Sequence, residues 1–183
     1  MRLLQLHSDF IEYEPISKEI KDAEENVSKT KVRLEDLVVT LIAIEVNDDK
    51  DIANNAVNEI KKYMDTVKSR RLLIYPYAHL SSCLASPAVA AEIIKLVEQI
   101  SKELLDEVYR APFGWTKAFQ IKVKGHPLAE NAKVVTKQYS ATTNASNNIS
   151  TDHSDATTIT TQSEEKVSSA LKAEEKLQSF WYV

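Results

Sequence analysis

The chain has 183 residues, 43% of them hydrophobic and 27% charged, with a formal net charge of −4. That length holds one buried core and a tail, and the acidic balance excludes a uniformly basic nucleic-acid coat. A lone cysteine, Cys83, precludes an internal disulfide and fits a reducing compartment, while no apolar run reaches the roughly 18 residues that span a bilayer. Residues 2–7 read as a strand that stops at a polar turn, Ser8-Asp9. Residues 10–14, with Phe10, Ile11 and Tyr13, read as a second, weaker strand. Residues 15–30 are rich in lysine and glutamate and read as a surface loop or short helix. Residues 33–46 contain the β-branched apolar run Leu37-Val38-Val39-Thr40-Leu41-Ile42-Ala43-Ile44, suited to a central strand.

The acidic cluster 48–51 opens a helix, where negative charge suits the dipole. Ala53, Val57, Ile60, Met64 and Val67 keep helical spacing to about residue 70. Leu72-Leu73-Ile74-Tyr75 is a short buried strand. Ser86-Pro87 starts a second helix, with Ser86 as N-cap and Pro87 in the first turn. Val89, Ile93, Leu96, Ile100 and Leu104 are its expected buried stripe. Residues 117–124 alternate as a strand ended by Gly125. The order β-β-β-α-β-α followed by strands predicts an α/β domain with a mixed β-sheet and two main helices. The only glycines are Gly114 and Gly125, which removes glycine-rich phosphate loops and with them Rossmann and P-loop chemistry.

Composition then changes. Fifteen of the 24 residues from 140 to 163 are Ser, Thr or Asn, so 138–163 reads as a linker between a domain at 1–137 and the tail. Residues 164–183, with Val167, Leu171 and Leu177, read as a helical connector. Its last residues, Phe180-Trp181-Tyr182-Val183, need a partner surface, and the chain is expected to continue beyond them.

Three polar islands in apolar surroundings carry the chemistry. The stretch 111–119 holds Pro112, Phe113, Gly114, Trp115 and Thr116, then a lysine, Lys117, between the bulky Trp115 and Phe119. A lysine beside apolar rings is poorly solvated, so its charge is expected to be used. Tyr75-Pro76-Tyr77-Ala78-His79-Leu80-Ser81-Ser82 and Gly125-His126-Pro127-Leu128-Ala129-Glu130 are expected to complete the same site. From 110 to 137 the charges are Arg110, Lys117, Lys122, Lys124, Lys133 and Lys137 against Glu130 alone, which suggests a phosphate-bearing partner. His7, His79 and His126 lack any tight ligand spacing, and no metal or cofactor is expected.

Together with Leu6-His7-Ser8-Asp9 and Ile11-Glu12-Tyr13, these collinear motifs resemble the N-terminal editing domain of archaeal-type threonyl-tRNA synthetase, over residues 1 to 137. The resemblance implies a D-aminoacyl-tRNA deacylase-like fold. It implies hydrolysis of the ester joining serine to the 3′ end of threonine tRNA, in the cytoplasm. Lys117 is then the catalytic cation, His79 the pocket histidine near the serine hydroxyl or the terminal ribose, and Glu130 an acid that positions water or pairs with the lysine. Ile44, Pro76, Tyr77 and Ala78 are expected to line the amino-acid pocket through their main chain, beside Phe113. Trp115 is placed to stack on the adenine. The residue before the lysine is commonly aromatic in this family, and here it is Thr116. The resemblance further implies a synthetase body after the connector, or a separate catalytic subunit, and a homodimer. Two other readings stay open on the residues alone: a deacylase of D-aminoacyl-tRNA, and a non-catalytic tRNA-binding or docking module.

Overall fold

The apolar run 37–44 owes its near-continuous hydrophobicity to burial on both faces of a sheet. The computed structural model describes residues 1–137. The chain divides into two units, Met1–Ser140 and Ala141–Val183, and the described elements all belong to the first. The expected linker at 138–163 and connector at 164–183 lie outside the described residues. In chain order the elements are β1 (Arg2–Lys18), β2 (Val32–Ala43), α1 (Lys50–Val67), β3 (Arg71–Pro76), a 3-10 turn (Ala78–Leu80), α2 (Pro87–Leu104), β4 (Glu107–Arg110), β5 (Trp115–Val123) and β6 (Glu130–Val134).

One six-stranded sheet runs β4-β3-β2-β1-β5, and β6 pairs with the first part of β1. β2, β3 and β4 are parallel. Parallel neighbours need crossover connections, and α1 and α2 provide them. Side chains alternate between the faces. Val38, Ile42, Leu72 and Ile74 meet Ile52, Val57 and Ile60 of α1 and Ile93, Ile94 and Val97 of α2. Leu37, Val39, Leu41, Leu73 and Tyr75 point the other way and join Leu6, Ile11, Tyr13 and Ala111.

Three sequence expectations are corrected. The two opening strands are one strand, and the expected turn at Ser8-Asp9 is a bulge. The register of β1 against β5 shifts between Ser8 and Phe10, and again between Pro15 and Ser17. A bulge bends a strand without ending it, and on the other edge Ser8 still pairs with Leu37 and Phe10 with Glu35. Ser8 mimics a turn residue only by composition: it is fully buried and its hydroxyl donates to the Leu6 carbonyl at 3.1 Å.

The stripe of α2 is also turned from its expected line. Ala90, Ile93, Ile94, Val97 and Ser101 face inward, whereas Val89 and Leu104 are exposed. Small residues occupy the two ends of the buried face, and a count of apolar bulk passes over them. Finally, Ser86 stands at the N-cap of α2 but makes no side-chain cap bond. Asp49 does so for α1, accepting from the amides of Asp51 and Ile52 at 3.1 Å each.

Candidate active site

Parallel β2 and β3 end side by side, and the backbone leaves the sheet there in a 3-10 turn. Such carboxyl ends are where open α/β sheets form ligand crevices. A cavity of about 440 Å³ opens at this place. Its walls are Ile42, Ala43 and Ile44 from the end of β2, Tyr75 to His79, Pro87 and Ala90 from α2, and Phe113 to Lys117. Two backbone bonds knit the wall: Tyr77 N donates to the Ile42 carbonyl at 2.8 Å and Ala85 N to the Ile44 carbonyl at 3.0 Å.

The cavity gathers Ile44, Pro76, Tyr77, Ala78, His79, Phe113, Trp115, Thr116 and Lys117. Lys117 is half-buried at the start of β5. Gly114, at φ +74°, turns the chain into that strand. The Lys117 Nζ donates to the carbonyls of Pro112 at 3.1 Å and Trp115 at 2.8 Å. It also lies 5.0 Å from the centroid of the Tyr75 ring. Burial lowers its pKa to about 8, with Glu19 and Glu24 acting in the opposite sense. The imidazole of His79 is exposed on the 3-10 turn and meets the Tyr77 ring edge-on, centroids 5.2 Å apart. Tyr77 in turn meets Tyr75 at 6.4 Å. A ladder of rings therefore runs from under the ammonium to the imidazole. Burial pushes the Tyr75 phenol up, helped by Tyr13 and Tyr77.

Glu130 is not among the cavity walls. It starts β6 opposite Leu6, whereas Lys117 stands opposite Pro15. The stretch of β1 between those partners amounts to roughly 25–30 Å. The rest of its motif turns toward β1 instead. His126 Nε2 lies 2.9 Å from His7 Nδ1, and Ala129 accepts from the His7 amide at 2.7 Å. His7 is buried, which lowers its pKa, and Lys124 and His126 lower it further against Asp36 and Asp9. His79 stands apart from this pair, so the three histidines do not converge.

Every lysine and arginine of the stretch 110–137 except Lys117 finds an acidic partner on folding. Arg110 pairs with Glu24 and Glu98, Lys122 and Lys124 with Asp9, and Lys124 also with Asp36. Lys133 reaches Glu59 at 3.8 Å and Lys137 reaches Asp49 at 2.6 Å. The acids come from distant segments, so the local charge asymmetry is no longer a bare field on the surface.

Segment 19–24, between β1 and β2, falls in the stretch expected as a surface loop or short helix, and it roofs the cavity. Glu19 N donates to the Gly114 carbonyl at 2.9 Å and Glu24 N to the Phe113 carbonyl at 3.2 Å. The Trp115 indole N–H donates to the Glu24 carbonyl at 2.8 Å, and Thr116 Oγ1 donates to Glu19 Oε2 at 2.7 Å. Glu19 and Ile20 line the cavity. Nothing in the spacing of 15–30 signals this role, because every partner lies about 90 residues away in 113–116.

Comparison with known proteins decides the family. The model of the archaea-specific editing domain of threonyl-tRNA synthetase matches residues 1–135. The chain belongs to that family. The threonine–tRNA ligase of Nitrosopumilus maritimus is 45% identical over 183 residues, which is all of this chain and 26% of that protein. The ligase of Cenarchaeum symbiosum is 50% identical over 136 residues, 74% of this chain and 22% of that protein. The ligase of Thermococcus sibiricus is 37% identical across the whole chain and 27% of its own length. The editing-domain chain thus spans about a quarter of the relatives it matches. A solved structure, c-Myc DNA Unwinding Element Binding Protein, shares the fold with a TM-score of 0.56 at 9% identity, over 75% of this chain and 100% of that one. The expected fold class, a mixed sheet with two main helices of D-aminoacyl-tRNA deacylase-like type, is the one observed. No helix among the described residues is long and apolar enough to cross a membrane.

Proposed function

We propose that this editing domain hydrolyses the ester between serine and the 3′ end of threonine tRNA, in the cytoplasm and attached to a synthetase body. The supporting observation is a half-buried ammonium, Lys117, on the wall of a cavity of about 440 Å³, a size suited to a small ligand. Serine differs from threonine by one methyl, worth only about 1–3 kcal/mol at a single binding step. A second site that fits serine and crowds the extra methyl supplies the missing discrimination. Ile44 and the main chain of Pro76, Tyr77 and Ala78 form that sieve in this proposal. Lys117 faces the ester and stabilises the oxyanion as it develops. His79 holds the serine hydroxyl or the terminal ribose, and Phe113, Trp115 and Thr116 take the adenosine. For Glu130 to act at Lys117 it must come from a second copy, because the two are far apart within one chain. A homodimer is therefore part of the proposal, and a chain that sediments as a monomer while fully active removes Glu130 from the mechanism.

The direct test offers the protein L-seryl-, L-threonyl- and D-tyrosyl-tRNA. Rapid release of serine with threonine spared is the expected result. Rapid action on the D-tyrosyl ester alone would make this a stereochemical proofreader. Binding without hydrolysis of any ester would make it a docking module.

A further inference from the structure

Lys117 has two acidic neighbours in the roof, and they are not equivalent. Glu24 is ion-paired with Arg110; Arg110 also holds Glu98, but Lys102 pairs with Glu98 as well, so these two acids are matched by two bases. Glu19 has no cation partner among the described residues. Its carboxylate accepts only from the neutral Thr116 hydroxyl at 2.7 Å, and its amide donates to the Gly114 carbonyl at 2.9 Å. Those two anchors flank the residues that lead directly into Lys117. The ammonium itself touches two carbonyl oxygens, which are dipoles and carry no net charge. Burial favours the neutral amine, against the attraction of the Tyr75 ring face for the cation.

We propose that Glu19 is the positioning acid of this site: held by Thr116 at the cavity rim, its carboxylate supplies the counter-charge that keeps the Lys117 side chain an ammonium. This rests on the role given to Lys117 above, but it is measured without any hydrolysis. The residue pair is local to the roof and β5, whereas the acid singled out in the sequence, Glu130, is remote. Glu19 is exposed, so its effect is screened by solvent and salt, and grows when a bound nucleotide covers the rim.

The test is an NMR titration of the Lys117 ε-position in protein carrying isotopically labelled lysine. Glu19→Gln keeps the shape of the side chain and removes its charge. The Lys117 pKa is expected to fall by about 0.5–1 unit. Thr116→Val, which frees the carboxylate from its anchor, should give part of that shift, and Asp65→Asn on α1 none. A fall from about 8 to about 7 lowers the protonated fraction at pH 7.5 roughly threefold. The descending limb of the pH–deacylation profile should move down by the same amount, and the midpoint of urea denaturation should fall slightly near pH 7.5 and coincide with that of the wild type above about pH 10.5, as linkage to the lower pKa requires. A Lys117 pKa unchanged in both Glu19→Gln and Thr116→Val overturns the proposal. A pKa that falls while the profile stays in place supports Glu19 and counts instead against Lys117 in the hydrolysis.

Discussion

Lys117→Met should lower the hydrolysis of L-seryl-tRNA by about 10²–10³-fold, the usual cost of removing one group aimed at a developing oxyanion. The same change should leave the fold intact or strengthen it. The Lys117 ammonium is held at a pKa of about 8, below the value of 10.5 of a free lysine, so the fold disfavours its charge. The folded chain therefore sheds this proton before the unfolded chain does. The resulting penalty is present in full below pH 8 and is relieved as pH rises from 8 toward 10.5. With allowance for partial solvent access, the penalty at pH 7 is about 1–2 kcal/mol. Methionine fills the same space without charge and escapes it, although the Pro112 and Trp115 carbonyls lose a donor. Activity and stability should then move in opposite directions, the mark of a group retained for chemistry. Single-turnover deacylation and urea denaturation of the same preparation read both. A Lys117→Met protein that loses stability together with activity would assign the lysine to the fold. In the wild type, turnover above the background rate should also decline as pH rises through about 8.

Gly114→Ala should destabilise the domain by about 3 kcal/mol and detach the roof. Gly114 has φ +74°, a region that costs an alanine about 1 kcal/mol. Its new Cβ would also stand 2.8 Å from Ala23 Cα and Ile20 Cγ1, and 2.9 Å from Ala23 Cβ. The Ile20 atom can rotate away, but Ala23 Cα is backbone and moves only with the whole segment. That movement breaks the bonds from Glu19 N to Gly114 and from Glu24 N to Phe113, each worth about 1 kcal/mol. The Trp115 indole loses the Glu24 carbonyl at the same time, so a change in tryptophan emission should accompany the lower denaturation midpoint. Gly125→Ala is the matched comparison, because nothing lies within 4 Å of its added Cβ. A Gly114→Ala chain as stable as Gly125→Ala, with unaltered emission, would mean the roof is not packed on this glycine.

Local pattern carried the sheet and helices because the physics there is local. The run 37–44, the 53–67 spacing and Ser86-Pro87 each specify an element through neighbours a few residues away. The cavity residues were legible for a related reason: 75–82 and 111–119 are short segments whose unusual composition reflects one site. What escaped depends on distant partners. The bulge at Ser8 is set by the register of β5, and the roof by the carbonyls of Phe113 and Gly114. The acids that pair with Lys122, Lys124 and Lys133 are Asp9, Asp36 and Glu59, which no window around 110–137 contains. Glu130 shares a conspicuous motif with His126, yet the strand pairing of β6 carries both to the other end of β1.

Trp115 and the Glu24 carbonyl that fixes it are 91 residues apart in the chain. A contact so distant closes only after the centre of the sheet has formed, since long loops are entropically slow to shut. Trp115 and Ala23 are buried beneath it, but the outer edge of the roof, where Thr116 bonds Glu19, is exposed, and exposed bonds lie at the low end of local stability. Mild warming should thus silence proofreading while the helices and central strands still stand, leaving an intact scaffold that has lost its accuracy first.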